Sequence, residues 1–123
     1  MKRISYDDRA TDKNEINRVK NAGGIIFGGR VYGQLMLTRA FGDSELKKYG
    51  VICKPHVFKV ELNMSDKYII IASDGVWDVL DENEVYSLSL IVKNSKELCD
   101  IIVKNAIDKG SMDNISCFVI KIN

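Results

Sequence analysis

Two short stretches place a carboxylate where the surrounding pattern does not call for one. In Ile69-Ile70-Ile71-Ala72-Ser73-Asp74-Gly75-Val76-Trp77-Asp78 an apolar run ends in Asp74, and Gly75 lets the backbone turn beside it. An aspartate at the end of a buried strand projects from a rigid base, which is how oxygen ligands for a hard cation are held. Asp78 follows four residues on, so one helical turn through Val76-Trp77 returns it to the same side. The plainer reading is that Asp74 only caps the short helix that follows. In Gly110-Ser111-Met112-Asp113-Asn114-Ile115 a second aspartate leads into the last apolar run. Its plainer reading is an ordinary turn, since Gly, Ser, Asp and Asn are the common turn formers. If the two apolar runs are neighbouring strands, Asp74 and Asp113 converge. Carboxylates without thiolate or imidazole select Mg²⁺ or Mn²⁺ over zinc or copper.

These residues need a frame. Tyr68–Ala72 and 115–122 are apolar on both faces, which predicts buried strands, the first of them central in its sheet. The segments 84–92 and 95–109 read as helices, the second with Ser95 as N-cap and Gly110 as terminator. Upstream, Asp12 and Glu15 have capping-box spacing before Ile16 and Val19, and Gly23-Gly24 ends that helix. Residues 25–27 and 30–32 flank Gly28-Gly29 as a hairpin, 35–41 is ambiguous, and Gly42-Asp43 breaks it. The segment 57–62 alternates apolar with polar residues like a strand with one wet face, and 63–67 is a turn. Hairpins followed by late helices indicate an α+β fold built in layers.

The composition narrows the function classes. A chain of 123 residues suits one domain, and 46% apolar with 28% charged residues is the balance of a globular protein. A net charge of +1 with interspersed signs argues against nucleic-acid binding. No run approaches the roughly 20 apolar residues of a membrane span, and the first residues turn acidic at Asp7-Asp8 rather than forming a signal peptide. Cys53, Cys99 and Cys117 are odd in number and widely spaced, as reduced thiols are. The expectation is an intracellular protein of the cytoplasm or nucleus.

At the two carboxylate stretches the sequence resembles a known family. Ala72-Ser73-Asp74-Gly75-Val76-Trp77-Asp78-Val79 is similar to the "ASDGxWDV" signature of the metal-dependent serine/threonine phosphatases of type 2C. Gly110-Ser111-Met112-Asp113-Asn114-Ile115-Ser116 resembles the family's "GSxDNIS/T" motif. Gly23-Gly24, Arg30-Val31-Tyr32-Gly33 and Thr38-Arg39-Ala40-Phe41-Gly42-Asp43 follow the order of its middle motifs. Ile4-Ser5-Tyr6-Asp7-Asp8-Arg9 is similar to "LSxDHK", with Asp8 where histidine is usual. His56 in "KPHV" falls where the family has an acidic residue, a position that is not catalytic. The resemblance covers nearly the whole chain.

The resemblance implies a layered α-β-β-α sandwich, two antiparallel sheets flanked by helices, of which residues 1–123 form the C-terminal portion. It makes Asp74 and Asp113 metal ligands, and Asp78 a holder of a further, weaker metal and its waters. Gly75 and Asn114 support them. Two or more Mg²⁺ or Mn²⁺ ions activate water to hydrolyse phosphoserine and phosphothreonine in a phosphoprotein substrate. It also makes Arg39-Ala40-Phe41-Gly42-Asp43 structural, through an Arg39–Asp43 pair. The family's first half, with its "DGHGG" and "GDSR" segments and its phosphate-holding arginine, has no counterpart here. No residue is therefore assigned as catalytic, and the chain alone is expected to be inactive. The alternative is a non-catalytic half-domain serving as a binding or assembly module. Strands that lack neighbours imply self-association through exposed edges or apolar faces, binding of a complementary N-terminal fragment, or poor solubility.

Overall fold

The computed structural model describes Met1–Asn123, and its chain divides into the unit Ile4–Lys59 and the unit Val60–Asn123 with Met1–Arg3. In the first, α1 (Lys13–Asn21) starts where the Asp12 carboxylate accepts the Asn14 and Glu15 backbone N–H groups at 2.8 and 3.1 Å. Only half of the expected capping box forms. The Asp12 N–H donates to the Arg9 carbonyl, and the Glu15 side chain turns inward instead of back to it. Strands β1 (Ile26–Phe27) and β2 (Arg30–Val31) pair antiparallel through Gly28 and Gly29. Their φ angles of 57° and 68° are left-handed, as a two-residue hairpin turn of this twist requires. After α2 (Ser44–Lys47), Val51 joins Ala10, Val19, Val31 and Leu46 in a small core.

Two expectations fail in this unit. Arg39 does not pair with Asp43: its guanidinium binds Glu15 at 2.6 Å, lies 3.2 Å from Asp8 and donates to the Lys54 carbonyl at 2.8 Å. A buried carboxylate demands a cation, whereas Asp43 is exposed in a left-handed conformation ahead of α2. Residues 57–62 form no strand, and Val57 and Phe58 are exposed at 85% and 59%. Alternation gives a strand its faces, but no other strand of this chain pairs with the segment. The ambiguous stretch 35–41 supplies single bridges, from Leu35 to Val31, Leu37 to Arg9 and Arg39 to Ile52.

The second unit carries the apolar runs. Strand β3 (Tyr68–Ala72) runs into a single turn, α3 (Asp74–Trp77). Helix α4 (Glu82–Ile91) opens with a complete capping box between Asp81 and Glu84. Helix α5 (Ser95–Asp108) is capped by the side chain of Asn94, one residue before the expected Ser95. Strand β4 (Cys117–Lys121) pairs antiparallel with β3, Tyr68 opposite Lys121 and Ala72 opposite Cys117. One face of this pair, with Tyr68, Ile70, Ala72, Cys117 and Val119, packs on Val76, Leu80, Val85, Leu98, Ile102 and Ala106. Burying a side chain such as Leu98 or Ile102 contributes about 1.5–3 kcal/mol.

The other face is open: Ile71, Phe118 and Ile120 are exposed at 59%, 67% and 43%. Strand β3 is therefore buried on one face and has one partner, rather than being central as predicted. The chain's four strands form two separate pairs, so both outer edges of β3–β4 lack a neighbour. The α+β class stands, with helices and two small antiparallel sheets.

Candidate metal centre

The β3–β4 register decides where the two carboxylate loops meet. With Ala72 opposite Cys117, continuing both chains outward brings Ser73 to Ser116 and the 74–75 turn to 114–115. The Ser73 N–H donates to the Ser116 carbonyl at 2.9 Å, and the Ser116 N–H donates to Ser73 Oγ at 3.0 Å. The same hydroxyl donates to the Asn114 carbonyl at 3.1 Å, and Ser111 Oγ donates to the Gly75 carbonyl at 2.7 Å. Ser73 stands at the N-cap position of α3 yet makes no capping bond, because its hydroxyl is committed across the sheet end. Asp74 is the first residue of the turn and not its cap, which leaves its exposed carboxylate outside the capping role.

Backbone closeness makes this joint tight. A Cβ on Gly75 would land on the Asn114 carbonyl oxygen and lie 3.2 Å from the Ile115 side chain. Gly75→Ala is therefore expected to destabilise the Val60–Asn123 unit by about 1–3 kcal/mol. Urea unfolding followed by Trp77 fluorescence reads this directly; an unchanged midpoint would show that the loops part without cost.

Asp78 follows α3, its N–H donating to the Asp74 carbonyl at 2.8 Å, so the two residues are one turn apart. Asp113 Oδ1 accepts the Asn114 N–H at 2.6 Å, which fixes the carboxylate beside the joint. Asp74, Asp78 and Asp113 are all exposed and all oxygen donors at one end of a rigid strand pair. That donor set fits a hard cation such as Mg²⁺ or Mn²⁺, which keeps several waters and takes few carboxylates. Gly75 and Asn114 supply the backbone joint rather than side-chain ligands.

A different trio lies closer together. Asp8, Glu15 and His56 have ligand atoms within 4.8 Å of one another. Arg39 already stands there, 2.6 Å from Glu15 and 3.2 Å from Asp8, and Arg18 holds the other Glu15 oxygen at 2.8 Å. A divalent ion would meet two guanidinium charges at close range, so the cluster reads as a structural ion-pair network. Burial pushes the Glu15 carboxyl up, but hydrogen bonds from Arg39, Arg18 and Thr38 outweigh it and hold the group well below the usual range. His56 Nε2 lies 2.9 Å from Asp8 Oδ1, with the ring edge-on to Tyr6 at 5.1 Å. The sequence reading missed this network. Its signal was present: Asp8 and His56 each departed from the family pattern in opposite senses of charge.

Comparison with known proteins adds the relatives. The model of the family described as protein phosphatase 2C matches residues 1–115. The chain is 36% identical over 118 residues to protein phosphatase 2C homolog 1 of Saccharomyces cerevisiae, covering 96% of this chain and 42% of that protein. It is also 36% identical over 123 residues to protein phosphatase 2C homolog 1 of Schizosaccharomyces pombe, covering 98% and 35%. Among solved structures it superposes on a phosphatase from a pathogenic strain of Toxoplasma gondii with a TM-score of 0.85. That pair is 29% identical, and the match spans 98% of this chain and 43% of the other. A sex-determining protein of C. elegans gives a TM-score of 0.80 at 34% identity over 96% of this chain and 31% of that one. The chain thus spans less than half the length of each of these relatives.

Proposed function

Because this chain belongs to the protein phosphatase 2C family, we propose that it is the C-terminal portion of one metal-dependent phosphatase domain acting on phosphoserine and phosphothreonine in proteins. The observation that carries the reading is the joint between the two carboxylate loops, where Ser73 binds both Asn114 and Ser116. A mere scaffold needs strand pairing but not an aspartate on each side of that joint.

In this reading Asp74 and Asp113 hold the primary Mg²⁺ or Mn²⁺ site from two loops that cannot move independently. Asp78, one turn beyond Asp74, serves a weaker metal or its waters. When bound, the divalent ions lower the pKa of a water nucleophile and offset charge on the phosphoryl oxygens. The chain's own contribution is positional: Gly75 and Asn114 fix the separation of the loops, and Trp77 anchors α3 by donating to the Ala72 carbonyl at 3.0 Å. A phosphate-binding arginine and further ligands come from the remainder of the domain. The substrate is a phosphoprotein, and the compartment is intracellular.

The open face of β3–β4 and its two unpaired edges expect neighbours that this chain does not contain. The isolated 123 residues are therefore expected to self-associate and to release no phosphate from a phosphoserine peptide at any Mn²⁺ concentration. Sedimentation velocity with a phosphate-release assay on the same sample tests both statements. A monomer with metal-dependent turnover would contradict the half-domain reading, whereas a monomer without turnover would contradict only the open-edge argument.

A further inference from the structure

Two of the three cysteines are brought together from different elements. Cys99 lies on α5, next to the buried Leu98, and Cys117 is the first residue of β4. Cys117 belongs to the strand face that packs on the helical core, and the Cys99 thiol reaches from α5 to the β4 backbone. Cys99 Sγ donates to the Cys117 carbonyl at 3.3 Å, which places the Cys99 thiol against the residue that carries the second one. Both are reduced and partly accessible, while Cys53 is exposed in the other unit. No role in phosphate hydrolysis uses either sulfur.

We infer that Cys99 and Cys117 form a peroxide-responsive pair that closes into an intrachain disulfide between α5 and β4. Burial and the neighbouring Cys99 thiol push the Cys117 thiol up to about 12, so Cys117 stays protonated at neutral pH, and the first step is assigned to Cys99. The Cys99 sulfur attacks a peroxide oxygen; an S–O bond forms, the O–O bond breaks, and the leaving hydroxide takes the Cys99 thiol proton and departs as water. The Cys117 sulfur then attacks the Cys99 sulfenic acid. The S–S bond forms, the S–O bond breaks, and the leaving oxygen departs as water with the Cys117 proton. Two thiols and one hydrogen peroxide thus give one disulfide and two waters. The new bond lies one residue from Ser116, so oxidation ties helix α5 directly to the joint that carries Asp74 and Asp113.

The test oxidises the 123-residue chain with hydrogen peroxide, blocks remaining thiols with N-ethylmaleimide and maps peptides without reduction. The expected result is a fall from three alkylated cysteines to one, with a Cys99–Cys117 linked peptide. That linkage should exceed either pairing with Cys53 at least tenfold, and the preference should vanish in urea. Cys53→Ser should leave the linkage unchanged, and Cys117→Ser should leave a sulfenic acid on Cys99 that dimedone traps. Three alkylated cysteines after oxidation, statistical pairing with Cys53, or sulfinic acid on Cys99 beside an unmodified Cys117 would each overturn the inference.

Discussion

Replacing Glu15 by Ala is expected to cost about 3 kcal/mol, the low end of what breaking a buried ion pair costs, because Arg39 and Arg18 keep some access to water. Glu15 is 3% exposed and is the centre of the Ile4–Lys59 unit. It accepts from Thr38 Oγ at 2.5 Å, from Arg18 at 2.8 Å and from Arg39 at 2.6 Å. Its loss leaves two guanidinium groups without their shared carboxylate, on top of the cavity, while the buried Thr38 hydroxyl keeps only the longer bond to the Asp8 carbonyl at 3.1 Å. For a unit of this size such a cost is a large share of total stability. Glu15→Gln should fall between wild type and Ala, since it keeps the shape but not the charge. Hydrogen exchange at Ala10, Thr38 and Ala40, whose amides donate to Met36, Asp8 and Ile52, reads the unit locally. Unchanged protection in Glu15→Ala would show that the network is decorative.

The same group sets an acid limit. Its folded-state pKa is depressed, so its contribution is complete above the unfolded value of about 4.3. It fades as pH falls below that value, and is gone once pH passes through the depressed folded value. Wild type should accordingly lose protection in this unit as pH drops below the glutamate range, whereas Glu15→Gln should lose much less over the same window.

What the sequence made legible, and what it hid, divides along a physical line. Local pattern was sufficient for Tyr68–Ala72, for the helices that became α4 and α5, and for the Gly28-Gly29 turn, because each is decided by neighbours within a few residues. The loops that carry Asp74 and Asp113 were readable for a related reason: each borders an apolar run, and one antiparallel register then brings both loops to the same end of the strand pair. Whatever depended on a distant partner was not readable. Glu15 had the spacing of a capping residue, but Arg39, 24 positions away, claimed its carboxylate. Residues 57–62 had the alternation of a strand but no partner within this chain, so the ladder never formed. Both apolar faces of β3 were visible in sequence, yet this chain holds the cover for only one of them.

The claim that Asp74 and Asp113 hold the catalytic metal in the complete domain predicts the largest effect of all. Loss of a group that only orients a metal ligand lowers affinity or activity about 10–100-fold, so loss of a ligand itself should exceed that. Asp74→Ala and Asp113→Ala should therefore each lower Mn²⁺-dependent turnover by more than about a hundredfold. Neither should alter the unfolding midpoint appreciably, because both side chains are exposed and pack against nothing in the core. Asp78→Asn should reduce turnover less and leave the tightest Mn²⁺ bound by calorimetry. The decisive measurement is the rate of phosphate release from a phosphoserine peptide by the complete phosphatase carrying Asp113→Ala, titrated with Mn²⁺. A rate that stays more than about a hundredfold below wild type, recovering in part only at high Mn²⁺, is the predicted result. Turnover close to wild type at low Mn²⁺ would contradict the assignment and remove the metal from the joint between the two loops.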